Sequence, residues 1–169
     1  VDYACRVEAK RGGGRTVFEV FERGRSLGEF STTLVGTYNL GNVLAALALA
    51  RQEGVEVEAL RDGIRRFRGV RRRQELLGIA SGIRVVTDFA HHPTAVDATL
   101  RALRQSSSMS RGGRLVCLFQ PHQISRTERF VKEFGEALSS ADEAWVLPVY
   151  AAREAGLERA ESLSQEVLQ

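Results

Sequence analysis

Hydrophobic positions in the first part of the chain change from an alternating pattern to a helical one. Three glycines at residues 12–14 predict a turn, and apolar and polar side chains then alternate over residues 16–34, which predicts a β-hairpin. Residues 39–52 are apolar at nearly every position, which predicts a helix that is buried on most of its surface. A single apolar stripe over residues 58–68 predicts a second helix.

Beyond residue 78 the chain repeats a strand, a loop and a helix three times. Short apolar runs predict strands at residues 83–87, 114–119 and 144–147. Amphipathic segments predict helices at residues 94–104, 127–139 and 161–168. Strands that alternate with helices form a parallel sheet with helices on its faces. The sequence therefore predicts an α/β fold in which residues 69–169 form a lobe separate from residues 1–68.

The loops that follow these strands carry most of the candidate chemistry. In a parallel sheet, ligands bind beyond the carboxyl ends of the strands. This rule points to the loops at residues 88–93, 120–126 and 148–154. All three histidines of the chain fall in the first two loops, at His91, His92 and His122. We therefore expect the histidines to lie near one another, although a surface or capping role stays open for each of them.

Composition excludes several classes of protein. The chain has 169 residues, 43% of them hydrophobic, which is enough for a packed core and argues against wholesale disorder. No apolar run approaches the roughly 20 residues that a membrane span needs, and no secretory signal is visible, so we expect no membrane partner. Two cysteines, Cys5 and Cys117, are too few for a disulfide scaffold and suit a reducing, cytoplasmic setting.

The charge distribution raises the question of a nucleic-acid partner. Of the 24 basic residues 22 are arginine, and six of these fall within residues 65–73, which is the kind of cluster that binds phosphate backbones. Acidic residues just before the cluster offset it, and its one aromatic residue, Phe67, suits a helix core better than a base-stacking surface. We expect no nucleic-acid partner, and an arginine-rich nucleic-acid-binding protein stays as an alternative.

Five short segments are specific when taken together and in order. They read GTYNLGN at 36–42, GVRRR at 69–73, DFAHHP at 88–93, FQPHQISRT at 119–127 and VYAAREA at 149–155. Together they resemble motifs of the Mur ligases, the ATP-dependent amide-forming enzymes of peptidoglycan precursor synthesis. An unrelated Rossmann-like nucleotide-binding module is a further alternative.

The resemblance implies a place for this chain within a three-domain family. Residues 1–68 are similar to the end of the central ATPase domain, and residues 69–169 to most of the C-terminal Rossmann-like domain. The chain begins with valine, and it contains no GxxxxGK[ST] phosphate loop. We therefore expect a fragment of a longer ligase that is inactive when isolated.

The resemblance also implies a reaction. The DFAHHP and FQPH motifs are similar to those of the branch that joins L-alanine to UDP-N-acetylmuramate. That reaction would use ATP and Mg²⁺ to turn the sugar carboxylate into an acyl-phosphate, which the amine then attacks. The alternative is the recycling branch, which joins the tripeptide L-Ala-γ-D-Glu-diaminopimelate to the same nucleotide sugar. The residues Gln120, Pro121 and His122 favour the alanine branch.

Four residues match nucleotide-binding positions of the family. The resemblance assigns Asn39 and Asn42 to the adenine edge, a role that suits amides because they both donate and accept hydrogen bonds. It assigns Asp88 to the ribose hydroxyls and Arg73 to phosphate or ribose. From the residues alone, helix capping by Asn39 or by Asp88 stays open as an alternative.

Three residues match family positions that face the amino acid and the acyl-phosphate. Arg126 would bind the carboxylate of the incoming amino acid, because a guanidinium forms charge-assisted hydrogen bonds with carboxylates. His91 and His122 would accept or relay the proton of the amine. The neighbouring His92 is expected to be structural.

The chain departs from the family pattern at three positions. Tyr38 stands where the family usually has histidine, and Phe89 where it often has tyrosine. Gln123 stands where it usually has arginine, so one cation is missing from the expected amino-acid pocket. This departure predicts weakened binding of the amino acid.

Overall fold

The computed structural model describes residues 2–11, 14–105, 112–154 and 157–168. Contacts along the chain divide it into two units, Val1–Thr87 and Asp88–Gln169. Most of the predicted glycine turn at 12–14 lies outside the described residues. Among the described residues, no helix has the length and apolar character needed to cross a bilayer.

The first unit begins with a three-stranded antiparallel sheet in the order β1-β2-β3. Its strands are β1 (Tyr3–Arg11), β2 (Arg15–Glu22) and β3 (Arg25–Thr32). Arg23 and Gly24 join β2 to β3 with φ angles of 47° and 82°, the left-handed backbone that a tight hairpin turn requires. The predicted hairpin is confirmed, and β1, which contains Cys5, adds a third strand to it.

Two helices, α1 (Thr37–Gln52) and α2 (Val57–Arg66), complete the core of the first unit. Phe18 and Phe30, with ring centroids 6.1 Å apart, pack in one cluster with buried side chains of both helices. The prediction that α1 is buried on most of its surface is wrong. Its buried residues Leu40, Val43 and Leu47 share one face, and Leu49 is 66% exposed. Neighbouring elements of the unit cover that one face, so the apolar pattern overstated the burial.

A second hairpin follows, formed by β4 (Glu75–Ala80) and β5 (Ile83–Thr87). The prediction that residues 83–87 form a strand is confirmed. The prediction that this strand joins a parallel sheet with the later strands is wrong for the described pairing, because β5 pairs antiparallel with β4. A turn at Ser81 and Gly82, with φ angles of 49° and 79°, brings the two strands together at little entropic cost.

The second unit is α/β and contains a parallel strand pair. Its elements are α3 (Pro93–Arg104), β6 (Val116–Phe119), α4 (Ile124–Arg129), α5 (Val131–Leu138), β7 (Glu143–Val146) and α6 (Leu157–Glu166). The strands β6 and β7 pair in parallel, from Val116 opposite Glu143 to Phe119 opposite Val146. The α/β fold class with a parallel sheet is confirmed. The single helix predicted over 127–139 is wrong, since Phe130 adopts φ −125° and separates α4 from α5.

The core of the second unit lies between its helices and the parallel pair. Val96 and Leu100 of α3 cluster with Phe119 of β6 and with Phe134 of α5. A second cluster joins Ile124 of α4 to Leu163 of α6 and to the segment after β7. Because both strands are anchored in this way, their carboxyl ends are held side by side.

Candidate active site

The second unit contains a cavity of about 360 Å³ at the carboxyl ends of β6 and β7. Its lining comes from the loop before α3, from the loop after β6 together with the first turn of α4, and from the loop after β7. The polar and aromatic lining side chains include Asp88, His91, His122, Gln123, Arg126 and Tyr150. These are the loops that the sequence analysis selected, and four of the predicted site residues line this one cavity.

Backbone hydrogen bonds tie the second and third loops together. The N–H of Tyr150 donates to the carbonyl of Pro121 at 2.8 Å, and the N–H of Gln123 donates to the carbonyl of Tyr150 at 2.8 Å. His122 and Tyr150 form a parallel bridge, so the strand pairing continues past β6 and β7 into the loops. Their rings lie with centroids 5.3 Å apart. The position of His122 in the wall therefore follows from the sheet itself.

His91 is oriented by its own loop. Its Nδ1 lies 2.9 Å from the carbonyl oxygen of Phe89, and the rings of the two residues pack edge to face with centroids 5.3 Å apart. A carbonyl only accepts hydrogen bonds, so Nδ1 carries the hydrogen, and in the neutral ring the lone pair is on Nε2. His91 thus lines the cavity with a ring whose Nε2 can accept a proton.

Arg126 lies on α4 and is half-buried in the cavity wall. The start of α4 is held by Glu154, whose carboxylate accepts hydrogen bonds from Ile124 N at 2.5 Å, Ser125 N at 3.2 Å and Ser125 Oγ at 2.5 Å. The Ser125 hydroxyl, the two backbone N–H groups and the charge of Arg126 hold the pKa of the Glu154 carboxyl below its usual range.

Asp88 stabilises the turn that leads into the first loop. Its Oδ1 accepts a hydrogen bond from Ala90 N at 2.7 Å, which is an Asx turn. The alternative that Asp88 caps α3 is wrong, because the cap is His92, whose ring accepts from Thr94 N at 3.4 Å. His92 also packs against Phe130 with ring centroids 4.8 Å apart, so its predicted structural role is confirmed.

Asn39 and Asn42 belong to the first unit and lie in the first turns of α1. Asn39 Nδ2 donates to the carbonyl of Val35 at 2.7 Å, and Asn42 Nδ2 donates to Asn39 Oδ1 at 3.4 Å. The alternative that Asn39 caps the helix is wrong, since the cap position is Gly36 and no side chain caps it. Asn42 is exposed and lines a second, mostly apolar cavity of about 390 Å³ between α1 and α2.

Arg73 and two of the three departures from the family pattern are exposed. Arg73 lies on the turn that precedes β4, where its N–H donates to the carbonyl of Val70 at 3.1 Å. Tyr38 is exposed on the first turn of α1, and Phe89 lies at the cavity. The third departure, Gln123, lines the cavity beside Arg126, where the predicted loss of a cation would act.

The sequence analysis missed Tyr150, Ser125 and Glu154 as parts of this site. Their signal was present, since Tyr150 and Glu154 lie in the VYAAREA segment and Ser125 lies in FQPHQISRT. The contact between Glu154 and residue 125 spans 29 positions in the chain. A pairing over that distance follows from the parallel strands and not from any local pattern.

No metal centre is formed by the described ranges alone. Within them, no group of three or more His, Cys, Asp or Glu side chains is placed to hold a metal ion. Mg²⁺ is usually bound by one or two carboxylates together with substrate phosphates and water, so the predicted ion stays a prediction.

Residues 72–169 match the protein family described as "Mur ligase, glutamate ligase domain". That match covers more than half of the chain. The chain belongs to the Mur ligase family. The predicted family is confirmed, and the alternative of an unrelated Rossmann-like module is wrong. The family match begins near the predicted junction at residue 69, whereas the contacts divide the chain after Thr87.

Relatives within the Mur ligase family are similar at the level of sequence. A UDP-N-acetylmuramate–L-alanine ligase of Mycolicibacterium vanbaalenii is 56% identical over 113 residues, which is 67% of this chain and 24% of the relative. A ligase of the same name from a Cyanothece species is 45% identical over 144 residues, which is 82% of this chain and 30% of the relative. The chain thus spans about a quarter of the length of such relatives.

Solved structures show the same fold. A UDP-N-acetylmuramate–alanine ligase from Thermotoga maritima matches with a TM-score of 0.74 at 23% identity, over 98% of this chain and 35% of that one. A folylpolyglutamate synthase from the same organism matches with a TM-score of 0.68 at 16% identity, over 98% of this chain and 38% of that one. At these identities the likeness concerns the fold alone.

Proposed function

We propose that this chain is part of an ATP-dependent ligase that joins L-alanine to UDP-N-acetylmuramate in peptidoglycan precursor synthesis. One observation carries the proposal: Asp88 and His91, from the loop before α3, line one cavity at the ends of parallel strands together with His122 and Arg126, from the segment after β6. The identity of 56% to a relative with that named activity supports the choice of substrate. A ligase that consumes ATP would act in the cytoplasm.

In this proposal the second unit binds and deprotonates the amino acid. The guanidinium of Arg126 holds the carboxylate of L-alanine by charge-assisted hydrogen bonds. His91 accepts the proton of the amine on Nε2, because its Nδ1 is engaged by the carbonyl of Phe89. His122, fixed by its bridge to Tyr150, relays that proton or contacts the reacting carboxylate.

Each unit carries residues that we assign to the nucleotide. Asp88 accepts hydrogen bonds from the ribose hydroxyls, Asn39 and Asn42 contact the adenine edge, and Arg73 contacts phosphate or ribose. These donors and acceptors fit a nucleotide, and Mg²⁺ would enter with its phosphates, since that ion is usually bound by one or two carboxylates together with substrate phosphates and water. ATP supplies the phosphoryl group that activates the sugar carboxylate as an acyl-phosphate.

The substrate is tested by competition in the full-length ligase that carries this chain. L-alanine and the tripeptide L-Ala-γ-D-Glu-diaminopimelate are offered together with ATP and UDP-N-acetylmuramate, and the products are identified by mass. We expect the alanine product. Turnover of the tripeptide alone would overturn the assignment in favour of the recycling ligase.

The role of Arg126 is tested by its alanine variant. Arg126→Ala should raise the KM for L-alanine roughly ten- to a hundredfold, because a charge-assisted hydrogen bond contributes about 1.5–3 kcal/mol. The KM for ATP should change little. Arg129→Ala is the matched control, since Arg129 lies on the same helix with its guanidinium over the Phe130 ring, 5.4 Å from the centroid. Equal effects on both KM values would contradict the role.

The 169-residue chain by itself should neither hydrolyse ATP nor form an amide, since it contains no GxxxxGK[ST] phosphate loop. Phosphate release above background that is lost in Asp88→Ala would contradict this expectation.

We also propose no nucleic-acid partner, because Arg65 and Arg66 both pair with Asp62 at 2.8 Å. Salt-dependent binding of DNA or RNA would contradict that view.

A further inference from the structure

The start of α4 is an unusual place for a helix to begin. Its cap residue, Gln123, has a φ of 74° and ψ of 129°, and its side chain does not cap the helix. A non-glycine residue in this region is strained and persists only where its surroundings determine it. The first N–H groups of α4 also need partners from outside the helix.

Glu154 supplies those partners from the loop after β7. Its Oε2 accepts from Ile124 N at 2.5 Å and from Ser125 N at 3.2 Å, and its Oε1 accepts from Ser125 Oγ at 2.5 Å. The carboxylate therefore does from another loop what a capping side chain does within a helix. It fixes the two residues that follow the strained Gln123.

Two further bonds fix Gln123 itself. Its N–H donates to the carbonyl of Tyr150 at 2.8 Å, and its carbonyl accepts from Thr127 Oγ1 at 2.7 Å. The third loop thus contacts the entry of α4 at two points, Tyr150 and Glu154. Hydrogen bonds therefore hold the strained residue Gln123 and also the two residues that follow it.

Arg126 is the next residue along the chain and lines the cavity. No hydrogen bond or ion pair between its guanidinium and the described residues is present, but its charge acts on the Glu154 carboxylate. Loss of that carboxylate would release the first turn of α4 and remove the nearby negative charge at the same time. Both changes would move the guanidinium.

We propose that Glu154 is a positioning residue for amino-acid binding, which acts by holding the first turn of α4 so that Arg126 faces the cavity. This inference rests on the proposed function, because it takes Arg126 to bind the carboxylate of the amino acid. Glu154 itself is not among the residues that line the cavity. It affects binding of the amino acid indirectly, because Glu154 lies in the loop after β7 and holds the first turn of α4, the helix that carries Arg126.

The test is a double-mutant cycle in the full-length ligase. Glu154→Gln keeps the size of the side chain but replaces an acceptor oxygen with a donor, so it opposes the N–H groups of Ile124 and Ser125. We expect the KM for L-alanine to rise about tenfold, as for the loss of one hydrogen bond to a charged group, with the KM for ATP and kcat little changed. In the Arg126→Ala background the same substitution should add almost nothing.

Glu161→Gln is the matched control, because Glu161 is exposed on α6 and lies away from the cavity lining. The proposal is overturned if Glu154→Gln leaves the KM for L-alanine unchanged. It is also overturned if the effect multiplies fully with that of Arg126→Ala, since Glu154 would then act independently of the arginine.

A measurement on the 169-residue chain separates this inference from the proposed function. In Glu154→Gln the amide hydrogens of Ile124 and Ser125 should exchange with solvent at least about tenfold faster than in the original chain. The milder Ser125→Ala variant should show a smaller increase at the same amides if Glu154→Gln does not fold. Unchanged exchange in both variants overturns the inference even when the ligase uses L-alanine. Altered exchange in a protein that does not use L-alanine overturns the proposed function instead.

Discussion

The two units contain cavities of similar volume and opposite chemistry. The cavity of the first unit, about 390 Å³, lies between α1 and α2 and is lined by apolar side chains, with Asn42 as the polar exception. The cavity of the second unit, about 360 Å³, is lined by a carboxylate, two imidazoles and a guanidinium. Helix stripes line the first and loops at strand ends line the second. The topology of the chain, more than the size of a cavity, decides which cavity is lined by charged and imidazole side chains.

The cores of the two units also differ in how far apart in sequence their paired strands are. The first is organised by an antiparallel sheet whose strands are neighbours in sequence, with Phe18 opposite Phe30 in the register. The second is organised by a parallel pair, β6 and β7, whose partners are 27 positions apart, as Val116 is from Glu143. Local pairing needs only a turn. Parallel pairing needs the intervening helices to return the chain. As a result, the loops that follow β6 and β7 lie at the same edge of the sheet.

The largest expected effect separates core aromatic residues from the aromatic residue at the cavity. Phe18→Ala and Phe134→Ala should each lower the free energy of unfolding by about 3–5 kcal/mol, because each leaves a void in a packed cluster. Phe18 is 0% exposed and Phe134 1% exposed, whereas Phe89 is 53% exposed at the cavity. Phe89→Ala should therefore cost no more than about 0.5 kcal/mol. Urea denaturation measures all three, and an equal cost at Phe89 would break the comparison.

A smaller effect is expected from adding charge to the polar cavity. Gln123→Arg restores the cation that the family usually has there, so the KM for L-alanine should fall by about tenfold in the full-length ligase. Both residues carry a Cβ, so the strain at φ 74° is shared and folding should change little. Gln52→Arg, at the exposed end of α1, is the control. A higher KM in Gln123→Arg would mean that Arg126 repels the new charge.

The smallest expected effect concerns acid stability of the second unit. Hydrogen bonds from Arg104 and from Leu115 N hold the pKa of the Asp142 carboxyl below its usual range. A lowered folded pKa contributes stability above the unfolded value, about 3.9, and that stability is lost as the pH falls through the folded pKa. Asp142→Asn should flatten the loss of thermal stability in this acid range.

Thermal melts between neutral pH and the acid range measure this effect. Glu133→Gln, at an exposed position of α5, is the control and should leave the slope as it is. An unchanged slope in Asp142→Asn would show that the contacts of Asp142 do not differ between its two protonation states.

Local patterns predicted most of the elements but not their partners. The strand Ile83–Thr87 lies where the apolar run predicts it, yet its antiparallel pairing with β4 differs from the expected parallel one. The pattern did not single out β4, whose apolar residues Leu76, Leu77 and Ile79 are interrupted by Gly78. The break at Phe130 was also missed, because it accompanies a ring contact with His92, 38 positions away. Such contacts leave no periodic signal.

The candidate site divides along the same line. Sequence motifs selected Asp88, His91, His122 and Arg126, because these residues stand in short segments that resemble motifs of the family. They did not select Glu154, whose importance lies in three hydrogen bonds to residues about 30 positions earlier. They also left helix capping open for Asn39 and Asp88, which only the positions of Gly36 and His92 decided.

The sequence by itself determined the α/β class, the family and the loops that contain the candidate site residues. Each of these follows from local hydrophobic patterns or from short motifs in a fixed order. Tertiary structure alone decided which strand pairs with which, which face of α1 is buried, and how Glu154 meets the start of α4. The physical reason is range: periodicity and capping act over a few residues, whereas pairing and burial depend on segments that meet only after the chain has folded.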